Sequence, residues 1–480
     1  MTGEAEAVGP PAAEYDEYGF VVPAGALGRE IVRYKQQFQP KAERRVTRWE
    51  RFRRADPSLS NRRRLKRLVR KGIPDSFRKE IWAHCLGSQR LRDANPNKFE
   101  SLLREPLSDE TLSQIELDLT RTFPNNKLYK YEDGVAKLRR VLRAFAVHNV
   151  RVNYCQSLNF IAAVLLLFMD EELAFWTLAQ VVSSEEGAKG LHIDGYYVEG
   201  MDQLRADLRA LERIVQRKFP NAYASLRREG VELEWVCQEW FHTLFSTVLP
   251  IQTTLRVWDC LFLEGHKILF RVALAIFKEN ELRISKFQSL EEVMVSMREI
   301  SSHQVDHNSL LKAAFKGIGR LKRAQIRREQ AYGERMVAEE NAAAQARRER
   351  HNQAHPPPPA KPQLPALDNP GHGEAGGSGE ESPVGAAVRE AARRLESVID
   401  SCYDSILGDG DDDVDVSPVD GEPPAARLPG SIPALSPDSV FSYLGVSVSS
   451  MLQPSNSSDA TRSSVNVHRG DNALATSPAK

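Results

Sequence analysis

The chain has 480 residues, and its 65 Lys and Arg balance 65 Asp and Glu, so no global field favours nucleic acid or a membrane. Any electrostatic partner has to be read locally. Hydrophobic residues make up 41% but are spread unevenly, dense and periodic from about Ile73 to Leu321 and sparse in the Pro-, Gly- and Ser-rich last third, which predicts one sizeable core rather than three.

Residues 1–28 are rich in Ala, Gly, Pro and Glu and read as a disordered leader. The acidic start has no positive segment followed by an apolar stretch, so it is not a secretory signal. Residues 29–69 turn strongly basic, with Arg62-Arg63-Arg64 and Lys66-Arg67, while Trp49, Phe52, Leu65, Leu68 and Val69 recur at helical spacing. This reads as a solvated helical lead-in. Its alternative is a surface over 41–71 for acidic lipid headgroups or an acidic partner. No recognition motif accompanies the charge, so no nucleic acid is expected.

The core opens at Arg70-Lys71-Gly72-Ile73-Pro74-Asp75. Asp75 is placed to cap a helix that Gly87 ends. Leu138, Val141, Leu142 and Phe145 share one helical face, as do Leu204, Leu208, Leu211 and Val215. Alternating strand patterns are absent, so the expected class is all-α. The most apolar run, Leu158 to Met169, falls short of the ~20 residues that span a bilayer and reads as a buried helix in a soluble protein. The five cysteines (Cys85, Cys155, Cys237, Cys260, Cys402) are odd in number and lack C-x-x-C spacing, which points to reduced thiols without a disulfide framework or zinc site.

Residues 322–352 are charged and Ala-rich and suit one exposed helix or a short coiled coil, which Pro356 to Pro359 stop. Residues 353–480 have the composition of disorder. Within them, Ala387 to Leu407 carries spaced apolar residues that suit a helical motif folding on a partner, and Pro356–Pro365 suits an SH3-type partner. Ser382-Pro383, Ser417-Pro418, Ser436-Pro437 and Ser477-Pro478 are candidate proline-directed phosphorylation sites. The acidic run Asp411, Asp413, Asp415 with Glu422 imitates part of a calcium loop, but Val416 stands where that loop needs Gly and Pro418 follows. It reads as a solvated patch.

No phosphate-binding G-x-x-x-x-G-K-[ST] or strand-anchored G-x-G-x-x-G occurs, nor H-E-x-x-H or G-x-S-x-G. The chain therefore does not read as a nucleotide-binding enzyme itself. Three other segments carry information. In Ile115 to Pro124, Asp118 and Arg121 lie three apart on one helical face, where the carboxylate can hold the guanidinium until a partner arrives. On that segment alone an ordinary surface ion pair before a Pro-ended helix is the favoured reading. In Asn149 to Asn159, Gln156 stands at the mouth of an apolar helix with Tyr154 and Asn153 beside it, placed to present an amide or to cap the helix. In Trp240 to Arg271, the aromatic residues Trp258 and Phe262 read as core, and Arg256 with Asp259 reads as a clamp between helices rather than a substrate contact.

Together these segments resemble the TBC domain of Rab GTPase-activating proteins over roughly residues 70 to 321. The likeness includes Arg-Lys-Gly-Ile-Pro at the opening, Ala174-Phe175-Trp176, Leu249-Pro250, Arg256-Val257-Trp258-Asp259, Glu264-Gly265 and Leu269-Phe270-Arg271. The resemblance implies an all-helical, V-shaped domain of two lobes that receives a GTP-bound Rab-family GTPase. It implies an arginine finger at Arg121, in I-x-x-D-x-x-R, and a glutamine finger at Gln156, in Y-x-Q, with Asp118, Tyr154, Asn149, Arg256 and Asp259 in support. Magnesium and GTP are then carried by the GTPase, and this chain binds no cofactor or metal of its own. The family usually has Gly before the Tyr and often after the Gln. Here Asn153 and Ser157 stand there, of which Asn tolerates positive φ and Ser is small enough for close approach. The expected role is a cytoplasmic activator of GTP hydrolysis, peripheral on endomembranes. The alternative is an inert TBC-fold module that holds a Rab or a scaffold partner.

Overall fold

The computed structural model describes residues 14–183 and 189–354. The expectations for the tail, including the Ala387 to Leu407 island, the Pro356–Pro365 stretch, the four Ser-Pro sites, the acidic run and Cys402, lie outside the described residues.

The fold is all-α, and the described residues hold no β-strand beyond two isolated bridges. The first helices are Gly25–Ala55 (α1), Arg62–Lys71 (α2), Asp75–Leu86 (α3), Ser88–Ala94 (α4) and Lys98–Arg104 (α5). Asp109–Thr120 (α6), Lys127–Tyr131 (α7), Gly134–His148 (α8), Leu158–Leu166 (α9) and Glu171–Val182 (α10) follow. Next come Asp202–Lys218 (α11), Pro220–Arg228 (α12), Leu233–His242 (α13) and Ile251–Glu264 (α14). Lys267–Ile284 (α15), Leu290–Ser302 (α16), His307–Lys312 (α17) and Arg323–Ala354 (α18) complete the order.

The centre of the core is recognisable from helices that are buried all round. In α14 every residue except Gln252 is buried, and in α9 only Phe160 is partly exposed, the signature of helices packed on all sides rather than on one stripe. Around them sit amphipathic helices. In α8, Leu138, Val141, Leu142 and Phe145 turn inward at the spacing of one helical face. Among the described residues no helix is long and apolar enough to cross a membrane, and the four described cysteines are free.

Four details differ from the sequence reading. Residues 14–28 are not a disordered leader. Tyr15 bridges Val21, Phe20 bridges Asn126, and the Tyr18 hydroxyl donates to the Asp75 carboxylate at 3.0 Å, so aromatic residues anchor a stretch whose average composition hides them. The basic lead-in is not merely solvated. Trp49, Phe52, Leu65, Leu68 and Val69 are buried, and the Trp49 indole N–H donates to the Gly72 carbonyl at 2.9 Å.

Asp75 does not cap α3. Pro74 takes the cap position without a side-chain bond, and Asp75, one residue inside, pairs with Arg78 and Tyr18 instead. Gly87 does end α3, in the left-handed conformation at φ 77°. Finally, α18 is no free exposed helix, because its first half docks along α11. Ile326 and Val337 are buried, and Gly333 lies so close that a Cβ there would stand 2.1 Å from the Ala206 carbonyl oxygen. Glu329 accepts from Arg213 and Arg217, both at 2.8 Å. A contact in which a glycine and ion pairs stand between two widely spaced apolar residues has little hydrophobic periodicity to betray it.

Candidate functional site

The serine before α6 sets its start, since the Ser108 hydroxyl accepts from the Thr111 N–H at 3.3 Å and Asp109 and Glu110 sit in the first turn, where the helix dipole favours negative charge. Two turns later Ile115 and Leu119 face the core and carry Asp118 inward with them. Arg121 stands at the end of the helix. Its Nε donates to Asp118 Oδ1 at 2.7 Å and its Nη2 reaches the same oxygen. The carboxylate side chain is 5% exposed and the guanidinium 47%. A half-exposed guanidinium is thus parked on a buried anion.

The other oxygen of Asp118 is taken by the Tyr154 hydroxyl, which donates to Oδ2. One carboxylate therefore ties the end of α6 to the loop before α9. A second link runs parallel: Asn159 Nδ2 donates to Thr122 Oγ1 at 2.7 Å, and that hydroxyl donates to the Asp118 carbonyl at 2.5 Å. A third joins Asn153 Nδ2 to Thr111 Oγ1 at 2.8 Å. Asn149 shapes the loop from its own start, where its side chain accepts from the Val152 N–H at 3.1 Å and its carbonyl from the Asn153 N–H at 2.6 Å.

The loop turns sharply at two points. Asn153 has φ 54° and Ser157 φ 93°, both in the region that glycine occupies without strain. Between them Gln156 is partly exposed, three residues from the Asn159 amide that joins the loop to Thr122. Ser157 is held from behind, its Oγ 3.1 Å from His242 Nδ1, while Cys155 Sγ lies 3.7 Å from His242 Nε2. The His242 ring stacks on Tyr197. Burial pushes His242 down to about 4 and the Cys155 thiol up to about 12, so both are neutral at pH 7, and this pair is no nucleophile with its base. Burial, then the neighbouring Asp118 charge, raises the Tyr154 hydroxyl as well, which keeps it a proton donor.

Arg256 and Asp259 belong to a different place. Asp259 accepts from the Ile73 N–H, Arg78 Nε, Trp82 Nε1 and Arg256 Nη1 at 3.1 to 3.2 Å. Arg256 also donates to the carbonyls of Val69 and Arg70 at 3.3 and 3.0 Å. The pair pins α2 and α3 to α14 and does not touch Asp118, Arg121, Tyr154 or Gln156 among its hydrogen bonds. Thr111, Thr122, Asn159 and His242 complete the site without having been singled out in the sequence. A lone histidine in an apolar run and small hydroxyl residues give no spacing signal. Among the described residues no cluster of His, Cys, Asp and Glu is placed to hold a metal ion.

Residues 75–285, which contain this junction, match the family described as the Rab-GTPase-TBC domain. Growth hormone-regulated TBC protein 1 of Xenopus tropicalis is 31% identical over 318 residues, 65% of this chain and 91% of that protein. Its human namesake is 33% identical over 317 residues, 65% of this chain and 92% of that protein. Among solved structures, the Chlamydomonas flagellar RabGAP TBC domain aligns with a TM-score of 0.56 at 30% identity, covering 63% of this chain and 100% of that one. With relatives matched over nine tenths of their length and the same helical fold in a solved structure, the chain belongs to the Rab-GTPase-TBC domain family.

Proposed function

We propose that this protein accelerates GTP hydrolysis by a Rab-type small GTPase, supplying Arg121 and Gln156 to the GTPase's own active site. The observation that carries the reading is the shared carboxylate: Asp118 binds Arg121 with one oxygen and Tyr154 with the other, so the two segments that bear the fingers are held at one junction. In phosphoryl transfer negative charge is spread over the oxygens around the γ-phosphate while a water attacks in line. An inserted guanidinium stabilises that charge, and an amide orients the water, so positioning and electrostatics do most of the work. Asp118 keeps the Arg121 side chain extended from the end of α6 before the partner docks. The Tyr154 hydroxyl keeps that carboxylate in place.

Magnesium and the nucleotide arrive with the GTPase. Two large apolar side chains support a protein partner at this face: Leu117, one helical turn before Arg121, is 70% exposed, and Val150, in the loop leading to Gln156, is 83% exposed. Apolar groups left open beside polar catalytic ones are what a docking protein covers.

The test is single-turnover hydrolysis across a panel of GTP-loaded Rabs, with the full chain and its Arg121→Ala and Gln156→Ala variants. Acceleration of one or a few Rabs is expected, with the arginine variant losing on the order of 10³–10⁵ of it and the glutamine variant about 10²–10³. Binding without acceleration by the unaltered chain would replace this reading with that of an inert module.

A further inference from the structure

A cavity of about 490 Å³ opens where α1, the end of α2, α14 and α17 meet, a volume inside the ~300–1,000 Å³ range of small-molecule sites. Nine of its twelve lining residues are Lys or Arg and none is acidic. Helix α1 contributes Lys41, Arg45 and Arg48, the end of α2 Lys71, and the turns from α17 onward Lys312 and Lys316. None of these six forms an ion pair with a carboxylate among the described residues, whereas Arg70 of the lining pairs with Glu264 and such pairs are frequent elsewhere on the surface. Like charges gathered from several elements are costly to assemble, and no carboxylate among the described residues pairs with these six.

The inner wall shows the same unmet demand. Arg256 is buried there, and although its two terminal nitrogens are bonded, its Nε has no hydrogen-bond partner. Gly72 leaves room beside it: a Cβ at that position would lie 2.7 Å from Arg45 Nη1 and 3.1 Å from Arg256 Nε. Arg45 leans on Asn308 at 3.1 Å, and burial, then repulsion from Arg256, brings it down to about 10. Phe315, the aromatic lining residue, is covered by the Arg70 guanidinium at 3.9 Å, so charge rather than an open ring face is left to select the occupant.

We propose that this cavity binds a compact anion carrying two or more phosphate groups. Each phosphate monoester brings about −1.5 to −2 charge and several strong acceptors, which lysines meet as point charges and arginines as forks. One phosphate leaves most of the six unpaired cations unanswered, whereas two or three match them. The same chemistry is found on a phosphorylated lipid headgroup and on a soluble polyphosphate. The basic 41–71 surface read from the sequence thus acquires a pocket and a depth. No lining residue lies on α6 or in the loop before α9, so the site stands independently of the GTPase reading.

The experiment uses the full chain, a soluble inositol trisphosphate in calorimetry, and phosphatidylcholine vesicles doped with phosphatidylinositol bisphosphate or with charge-matched phosphatidylserine, at about 0.15 M salt. The variant Lys41→Ala/Arg48→Ala/Lys312→Ala removes three exposed cations of the rim. The control Arg347→Ala/Arg348→Ala/Arg350→Ala removes three from the exposed end of α18. Saturable binding of the trisphosphate is expected, weakened at least tenfold in the rim variant and unchanged in the control, with thermal unfolding of both as in the parent. Tighter binding to the phosphoinositide vesicles than to the trisphosphate assigns the site to a lipid headgroup. Equal affinity assigns it to a soluble anion. The proposal is overturned if the trisphosphate does not bind, if both variants lose affinity alike, or if phosphatidylserine vesicles bind as well as phosphoinositide ones.

Discussion

Two acid–arginine pairs with the same spacing sit in this fold under opposite conditions. In Asp118 and Arg121 the acid side chain is 5% exposed and the arginine 47%; in Arg256 and Asp259 the values are 4% and 0%. Asp259 gathers a backbone N–H, an indole and two guanidinium groups, and Arg256 reaches two carbonyls, so every contact is part of the core. Arg121 bonds only Asp118 among the described residues. Three-residue spacing on a helix therefore says that a pair forms and leaves open what the pair is for. Exposure of the cation separates a group ready to leave its partner from one that holds two helices together.

Substituting each pair in turn breaks the comparison most directly. Arg121→Ala is expected to lower stimulated hydrolysis on the cognate Rab by about 10³–10⁵, equivalent to about 4–7 kcal/mol of barrier. Its denaturant midpoint should move little, since an exposed pair contributes roughly 0–1 kcal/mol. Asp259→Ala should do the reverse. It strands Arg256, Arg78 and the Trp82 N–H in the interior, and removing one member of a buried pair costs about 3–5 kcal/mol. If Arg121→Ala melts the fold as Asp259→Ala does, the two pairs are not different in kind.

The histidine behind the loop gives the next effect. His242 titrates at about 4 in the fold against 6.5 when free. Below pH 6.5 the unfolded chain takes up the proton first, so its contribution is complete above 6.5 and declines as the pH falls from 6.5 towards 4. The full loss is about 3 kcal/mol. Burial likewise drives His307 down to about 2, which carries the decline further into acid. Denaturant melts at pH 7 and pH 5 should show it, and His242→Gln should weaken the dependence while leaving the share that His307 contributes over the same interval. A pH-independent midpoint over that interval in the parent would contradict a buried neutral ring.

Tyr154→Phe tests whether the two segments are coupled through one carboxylate. A hydrogen bond to a charged group contributes about 1.5–3 kcal/mol, and the variant should lose that much stability and part of its activity. Combined with Arg121→Ala, its effect on stability should be non-additive, because both act on Asp118. Strict additivity would mean that the junction is two separate contacts.

The class of fold was legible because hydrophobic periodicity is a local signal: Leu138, Val141, Leu142 and Phe145 face inward as their spacing requires. The ordered motifs around Asp118, Tyr154 and Gln156 were legible for a similar reason, each being contained in about ten residues. What stayed hidden is long-range. The bonds from Tyr154 to Asp118, Asn159 to Thr122 and Ser157 to His242 join residues far apart in the chain, and each partner taken alone is unremarkable. The docking of α18 was concealed because Gly333 and Glu329 sit between its buried Ile326 and Val337, and neither reads as core. Tyr18 and Phe20 were lost in the average of an Ala- and Pro-rich segment.

The smallest expected effect concerns Ser157, and its sign is the informative part. At φ 93° a side chain strains the backbone, typically by about 1–2 kcal/mol for an L-residue in the left-handed region. Glycine removes that strain but adds about 0.5–1 kcal/mol of unfolded-state freedom, and it gives up the bond from Oγ to His242, a further 0.5–1.5 kcal/mol or so. Ser157→Gly should therefore be close to neutral. Ser157→Ala keeps the strain and loses the bond, and alanine is also the poorer residue at the position that caps α9. Glycine should then exceed alanine in stability by about 0.5–1 kcal/mol, the reverse of their order inside a helix. Finding alanine the more stable of the two would mean that the loop relaxes away from positive φ, and that the geometry presenting Gln156 does not depend on this turn.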